Sequence, residues 1–224
     1  MARYPKAAWR PIPEAATEPP IRASQVILHS VVGSVSPRDY FGRESVRVES
    51  HLWVSLDGDV EQYVDTDRQA DANLHANERA ISVETADHGN PDAEPWTAEQ
   101  LAALAGILAW AHRVHAIPLQ RCATWDAPGV GYHTMFGAPS QWTPVAKTCP
   151  GRARIAQFPA VLERARLLAG RSDRPSRDAV RIPPFPLARG RYFGEQDGPG
   201  GAVSGFEVGG HLGLQLWQRQ MRRR

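Results

Sequence analysis

The chain has 224 residues, with 26 basic and 24 acidic side chains and a formal net charge of +2. This length fits one large domain, or a domain of ~150 residues with an appendage, and 42% apolar with 22% charged residues excludes a disordered or fibrous chain. The longest apolar run, residues 101–111, is about half the ~20 residues that a membrane span needs, and no hydrophobic signal region follows the N-terminus. We therefore expect synthesis in the cytoplasm without a signal peptide, and no insertion into a membrane.

Positive charge is concentrated in one segment. Residues 151–191 carry 10 Arg against 3 acidic residues, whereas residues 1–150 carry 12 basic against 18 acidic groups. Such a segment either contacts a polyanion, meaning nucleic acid or an anionic cell-wall polymer, or is a solvated linker. No nucleic-acid-binding motif accompanies it, so nucleic acid is the least favoured partner.

The N-terminal half predicts a short arm followed by strands. Residues 1–21 contain five prolines and are predicted to form an extended arm with little regular structure. The apolar run Gln25–Leu28 predicts a buried strand that ends at His29. Residues 49–56 and 59–64 predict a strand pair, because the Asp-Gly dipeptide between them is a strong hairpin signal.

Strands and helices alternate in the next hundred residues. Ala80–Thr85 predicts a strand, and Thr97 with Gln100 forms a capping-box pattern ahead of a helix that Pro118 blocks. Residues 129–133 predict a short strand, and residues 155–168 an amphipathic helix in which Pro159 produces a kink or lies near the start. This alternation predicts an α/β domain over residues 22–170.

The C-terminal part has a different composition. Residues 171–186 are rich in Arg and Pro and are predicted to be a linker. Residues 187–224 are rich in glycine and end in an apolar segment before three arginines, and they are too few to bury a large core alone. We expect a small C-terminal appendage there.

Three residues could bind a metal ion. His29 and His133 each end a strand-like segment, where a sheet would hold both imidazoles rigidly, and Cys149 lies in a later loop. Zinc favours such nitrogen and sulfur ligands, and a catalytic zinc site takes three protein ligands. Two cysteines are too few for a disulfide framework, so we expect reduced thiols. His112 and His115 are a weaker second pair, since histidines commonly end a helix.

A set of short motifs carries a family resemblance. The motifs are Val26-Ile27-Leu28-His29-Ser30, Glu49-Ser50-His51, Asn73-Leu74-His75-Ala76-Asn77, Ile81-Ser82-Val83-Glu84, Gly131-Tyr132-His133 and Lys147-Thr148-Cys149-Pro150-Gly151. Through them, residues 22–168 resemble the zinc-dependent N-acetylmuramoyl-L-alanine amidases, which share their fold with peptidoglycan recognition proteins. The resemblance implies a central mixed β-sheet flanked by helices.

The resemblance also implies site residues. His29, His133 and Cys149 fall at the zinc ligands, Glu84 where some members have a carboxylate that acts on water, and Lys147 where members place a cation that stabilises the oxyanion. The alternative to these catalytic roles is that Glu84 and Lys147 belong to a surface salt bridge. Other members use a tyrosine where this chain has Ser50. His51 and His75 match recurrent family histidines that frame the site or contact substrate, and Trp142 lies in a long loop that would form a wall of the substrate groove.

The tail resembles peptidoglycan-binding-like segments of endolysins from phages of actinobacterial hosts, with one partial copy in residues 187–224. Together these resemblances imply a monomeric enzyme that acts on cell-wall peptidoglycan during phage-driven lysis. The alternatives are a non-catalytic peptidoglycan-binding protein of the same fold, whose members commonly lose the cysteine ligand, and an Arg-rich nucleic-acid-binding protein.

Overall fold

A mixed β-sheet organises the chain. The computed structural model describes residues 1–136 and 148–170, and within them six strands form one sheet in the order β1-β4-β3-β5-β2-β6. The strands are Ala8–Trp9 (β1), Gln25–Leu28 (β2), Leu52–Val54 (β3), Val60–Gln62 (β4), Ala80–Thr85 (β5) and Gly129–Tyr132 (β6). Only β3 and β4 pair antiparallel in this sheet, and the other neighbours are parallel.

Helices lie between the strands and after the last of them. They are Arg38–Phe41 (α1), Ala98–His115 (α2) and Arg152–Ala169 (α3), and short 3-10 turns span Pro13–Ala16, Leu74–Ala76 and His133–Phe136. The predicted α/β class and the mixed sheet flanked by helices are confirmed. No helix in the described residues is both long and apolar enough to cross a membrane.

The sequence signals for the hairpin and for α2 are both realised. β3 and β4 form the predicted hairpin, and Gly58 in its turn has φ +83° with the Glu99 carbonyl oxygen 2.8 Å from where a Cβ would be, so only glycine fits there. The Thr97 hydroxyl accepts from the Gln100 N–H at 3.0 Å, and the Gln100 side chain accepts from the Thr97 N–H at 3.1 Å. Pro159 lies inside α3 rather than near its start.

One face of the sheet carries the main core. Alternate strand residues such as Leu28, Val54 and Val83 pack against α2 and α3, whose contributions include Leu104 and Val161. All five side chains are buried. Burial of apolar surface of this kind is the main stabilising term in folding, and it fixes this face of the sheet under the two long helices.

The other face places polar side chains among a second apolar cluster. Ser82 and Glu84 alternate with the core residues of β5, and Trp53 of β3 is the register partner of Glu84. Trp53 packs in a cluster with Phe41 and Tyr63. On this face, the side chains at the carboxyl ends of the parallel strands therefore lie close together at one edge of the sheet.

The N-terminal residues are more ordered than the sequence predicts. The expected arm of residues 1–21 contributes β1, which pairs with β4 at the edge of the sheet, and Tyr4 packs on Trp110 of α2 with ring centroids 5.6 Å apart. Prolines are tolerated beside an edge strand, because an edge strand leaves one row of backbone groups unpaired. The short strand Ala8–Trp9 was not predicted from the sequence.

The predicted linker of residues 171–186 and the predicted C-terminal appendage of residues 187–224 lie outside the described residues. Both stay predictions, as does the domain boundary at residue 22.

Candidate metal centre and active site

Two neighbouring parallel strands bring the candidate histidines together. β2 and β6 pair so that Leu28 lies beside Tyr132. His29 directly follows β2, and His133 directly follows β6. Their ring centroids are 4.6 Å apart, and both side chains are buried. The carboxyl ends of parallel strands thus place the two imidazoles side by side.

Cys149 completes the group from the turn ahead of α3. Its Sγ lies 3.6 Å from His29 Nδ1 and 3.8 Å from His133 Nδ1, and the three ligand atoms lie within 4.8 Å of one another. Zinc bonds of about 2.0–2.1 Å to nitrogen and about 2.3 Å to sulfur, at tetrahedral angles, place a nitrogen and a sulfur ligand about 3.6 Å apart. The distances from Cys149 Sγ to the two histidine nitrogens therefore fit a zinc ion.

Backbone contacts hold Cys149 at this point. The Ser30 N–H donates to Cys149 Sγ at 3.3 Å, and the Thr134 N–H donates to the Cys149 carbonyl at 2.9 Å. An N–H directed at sulfur favours the thiolate, which is the form that binds metal. Gly151 has φ +100° and would bring a Cβ within 2.2 Å of the Pro91 carbonyl oxygen, so the turn into α3 requires glycine.

Glu84 lies next to the candidate ligands on the same face of the sheet. Its Oε1 is 4.0 Å from His29 Nδ1 and accepts from the Ser50 hydroxyl at 3.4 Å. Among the described residues, its Oε2 has no hydrogen-bond partner although it is fully buried. The pKa of Glu84 is raised to about 8, mainly by burial and also by the neighbouring Asp87, against the opposing effects of the Ser50 hydroxyl and Arg154. A nearby metal cation would favour the carboxylate form.

A buried guanidinium ties α3 to the strand ends behind the centre. Arg154 donates to Thr85 Oγ1 and to the Ala86 carbonyl, each at 2.7 Å, and lies 3.9 Å from Asp87 Oδ2. Its Nη1 also donates to Ser30 Oγ at 3.3 Å. The same residue therefore links the helix that follows Cys149 with the segment that follows His29.

The other sequence-predicted residues lie in different surroundings. His51 is fully buried, its Nδ1 accepts from the Ser82 N–H at 3.0 Å, and its Nε2 lies 2.8 Å from the Arg68 carbonyl. Both ring nitrogens of His51 are therefore engaged inside the chain, and its predicted role in framing the site or contacting substrate stays a prediction. His75 is exposed on a 3-10 turn and stays a predicted substrate contact. Lys147 and Trp142 lie outside the described residues.

His112 and His115 have separate partners. Nδ1 of His112 lies 2.8 Å from the Ile117 carbonyl, and Nε2 of His115 lies 2.8 Å from the Thr66 hydroxyl. Among the described residues, neither belongs to a group of His, Cys, Asp and Glu side chains close enough to share a metal ion. They fit the predicted role of histidines at the end of a helix.

Sequence reasoning gave no role to three residues around the centre. Asn73 contacts His29 Nε2 at 2.8 Å, Ser50 donates to Glu84, and Arg154 is almost fully buried. Asn73 and Ser50 lie within the family motifs, but no local pattern indicates which atom each one contacts. The arginine lies in a basic segment, where the sequence indicates solvent rather than burial.

A second group of acidic side chains lies apart from the three ligands. Glu18, Glu49 and Asp71 bring carboxylate oxygens within 4.8 Å of one another, and Glu49 is buried and accepts from the Asp71 N–H at 2.9 Å. Burial and the neighbouring acids raise the pKa of Glu49 from 4.5 to about 8. At pH values between 4.5 and about 8, Glu49 therefore stays protonated in the native protein and ionises in the unfolded chain.

We expect Glu49→Gln to flatten the dependence of stability on pH between pH 5 and 8. A carboxyl with a raised native pKa makes stability fall as pH rises between its unfolded and native pKa values, by up to ~1.4 kcal/mol per pH unit. Urea unfolding at several pH values measures the slope, with exposed Glu163→Gln as the control. Equal slopes for Glu49→Gln and the wild type would show that Glu49 titrates normally.

Comparison with known proteins agrees with this geometry. Residues 19–152, more than half of the chain, match the family model Amidase_2, described as N-acetylmuramoyl-L-alanine amidase. The chain belongs to the N-acetylmuramoyl-L-alanine amidase family. The reaction of this amidase is therefore hydrolysis of an amide bond in peptidoglycan.

Solved structures share the fold of this amidase. The endolysin amidase LysCS from Clostridium intestinale URNW is similar with a TM-score of 0.55 at 15% identity, covering 73% of this chain and 99% of that one. The Staphylococcus aureus hydrolase AmiA has a TM-score of 0.55 at 16% identity, covering 74% and 85% of the two chains. The catalytic domain of PlyG has a TM-score of 0.54 at 16% identity, covering 76% and 99%. Among curated proteins compared by sequence, none matches at a significant level.

Proposed function

We propose that this amidase holds zinc through His29, His133 and Cys149 and hydrolyses the amide between the lactyl group of N-acetylmuramic acid and L-alanine of the stem peptide. The observation that carries the proposal is the spacing of the ligand atoms, with Sγ 3.6 and 3.8 Å from the two Nδ1 atoms. Two imidazoles and a thiolate are ligands that zinc prefers, and three protein ligands leave a coordination position open.

Bound zinc would supply Lewis acidity, which activates water and polarises the scissile carbonyl. The residue that moves the proton is Glu84, which lies beside His29 with Oε2 available. Its carboxylate accepts a proton from water while the water oxygen bonds to the carbonyl carbon. It then returns that proton to the alanine nitrogen as the carbon–nitrogen bond breaks, so that the products are a carboxylic acid and an amine, which become a carboxylate and an ammonium ion at neutral pH.

The remaining contacts are assigned by family resemblance. Lys147 would stabilise the oxyanion, where one preorganised donor contributes ~3–4 kcal/mol. His75 and Trp142 would contact the glycan or the stem peptide, and His51 would frame the site. Peptidoglycan is the partner, the enzyme acts as a monomer, and residues 187–224 bind the insoluble wall.

We further propose that the protein is a phage endolysin that lyses an actinobacterial host. Support comes from the resemblance of its tail to wall-binding segments and from the fold that it shares with endolysin amidases such as LysCS. Synthesis in the host cytoplasm would keep Cys149 reduced until the enzyme reaches the wall.

A non-catalytic peptidoglycan-binding protein of the same fold is the second candidate. Such proteins commonly lack the cysteine ligand, whereas here Cys149 lies within 4 Å of both histidines. The geometry therefore favours the enzyme.

Removal of the metal is expected to abolish activity reversibly. The purified full chain should contain zinc near one equivalent per chain and release a new amine from a soluble muramoyl-peptide. Dialysis against a strong chelator should reduce the rate to background, and one equivalent of zinc should restore it. Elemental analysis and an amine-release assay measure the two quantities.

Two outcomes would contradict this proposal. Full activity in protein without zinc would exclude the metal assignment, and zinc-loaded protein that pellets with cell walls but releases no amine would favour the non-catalytic candidate. Turbidity of actinobacterial walls, compared with walls from an unrelated host, tests the endolysin role separately.

A further inference from the structure

Asn73 lies directly behind the first candidate ligand. Its side chain is buried, with 1% of its surface exposed, and its Oδ1 is 2.8 Å from His29 Nε2. The other ring nitrogen, Nδ1, is the atom that faces Cys149 Sγ. The imidazole therefore lies between the amide of Asn73 on one side and the candidate metal position on the other.

The side chain and the backbone of Asn73 are each held by a hydrogen bond. Its Nδ2 donates to Ser82 Oγ at 2.6 Å, and the backbone N–H of Asn73 donates to Asn77 Oδ1 at 2.7 Å. Asn77 in turn donates from Nδ2 to Asp71 Oδ1 at 3.0 Å. The position of Asn73 is thus set by β5 and by the turn that contains Asn77, independently of His29.

The orientation of the amide decides which histidine tautomer is present. With Oδ1 towards the ring, Nε2 carries the proton and Nδ1 keeps its lone pair for a metal. With the amide reversed, Nδ2 would donate to Nε2, and the proton would be on Nδ1, where it would block metal binding. Ser82 can donate or accept, so it permits either orientation, and only the first is compatible with a ligand at Nδ1.

We propose that Asn73 is a positioning residue that fixes His29 as its Nε2–H tautomer and directs Nδ1 at the metal. The inference rests on the proposed zinc site. Ligating histidines in general donate their second ring N–H to an oxygen acceptor, which sets the ring orientation and increases ligand basicity.

A neutral acceptor suits this position. With a divalent cation bound, the thiolate of Cys149 and the carboxylate of Glu84 would supply two negative charges to balance it, and both side chains are buried. An aspartate at position 73 would add a third charge without water to solvate it. Asparagine gives the same hydrogen bond with no added charge.

The first test measures zinc affinity in variants of the full chain. Asn73→Leu keeps the approximate size but removes the acceptor, and we expect its zinc affinity, measured by competition with a chromogenic chelator, to fall ~10–100-fold. Asn73→Asp keeps an acceptor oxygen but adds a buried charge, so it should retain more zinc affinity than Asn73→Leu without reaching that of the wild type. Asn77→Ala removes the acceptor for the Asn73 N–H and should cost part of this affinity, because Asn77 helps to set the position of Asn73 without contacting His29. Wild-type affinity in Asn73→Leu, or an equal loss in Asn73→Asp, would overturn the proposal.

The second test measures the tautomer of His29 in the wild-type protein. Long-range ¹H–¹⁵N spectra of the wild type identify the His29 ring by its loss in His29→Gln, and they should show the proton on Nε2 with and without zinc. A proton on Nδ1 in the metal-free protein would overturn the proposal. Failure of the wild type to bind zinc at all would instead refute the proposed metal site, while the tautomer would still report on Asn73.

Discussion

Glu84→Gln is expected to lower amidase turnover by ~10²-fold or more while zinc stays bound, since proton transfer by a positioned carboxylate contributes at least that factor. Glutamine has nearly the same shape and can still accept from the Ser50 hydroxyl, whose oxygen lies 3.4 Å from Glu84 Oε1. It cannot take a proton from water. Because Glu84 is not one of the three clustered ligands, the metal should remain.

Single-turnover rates on a soluble muramoyl-peptide, with zinc content measured on the same sample, test this expectation. Ser50→Ala is the informative companion variant, because it removes a hydrogen bond to Glu84 and leaves the carboxylate in place. We expect a smaller loss for Ser50→Ala than for Glu84→Gln. A near wild-type rate for Glu84→Gln with full zinc would assign the proton transfer to another group.

The sequence predicted much of this arrangement because its signals are local. Each of His29 and His133 directly follows a short apolar strand, and parallel pairing of β2 with β6 converts that pattern into adjacent side chains. The hairpin at Gly58 and the capping box at Thr97 are equally local, because a few consecutive residues determine each one. These elements could be predicted without knowledge of the tertiary structure.

The supporting contacts could not be predicted in the same way. Asn73 reaches His29 across 44 residues of sequence, and Arg154 reaches Ser30 across 124. Burial of Arg154 is also contrary to the usual preference of arginine for the surface, and its cost is offset only by acceptors that the fold assembles around it. The role of β1 was missed for a related reason, since a two-residue edge strand depends on its neighbour β4 rather than on its own pattern.

The two cysteines of the chain provide a matched comparison for the metal site. Cys149 lies at the centre, whereas Cys122 is buried in an apolar cluster with Ile27 and Ala80. Burial raises the pKa of Cys122 to about 12, so its thiol stays protonated and is a poor metal ligand. Only Cys149 has a histidine nitrogen on each side.

Cys149→Ala is therefore expected to lose zinc and to reduce hydrolysis to background, while Cys122→Ala keeps both. Zinc binding supplies ~10–16 kcal/mol in small protein sites. If the three ligands contribute equally, loss of one ligand costs a third of that free energy, ~3–5 kcal/mol, which lowers the zinc affinity ~10²–10³-fold or more. Removal of the Cys122 thiol costs only local packing, so a modest loss of stability is expected without loss of metal. Zinc content after gel filtration and amine release from a soluble muramoyl-peptide measure both effects. Retention of one equivalent of zinc by Cys149→Ala would mean that the histidines bind the metal with a different third ligand, and equal losses in both variants would mean that thiol removal acts through the fold rather than through coordination.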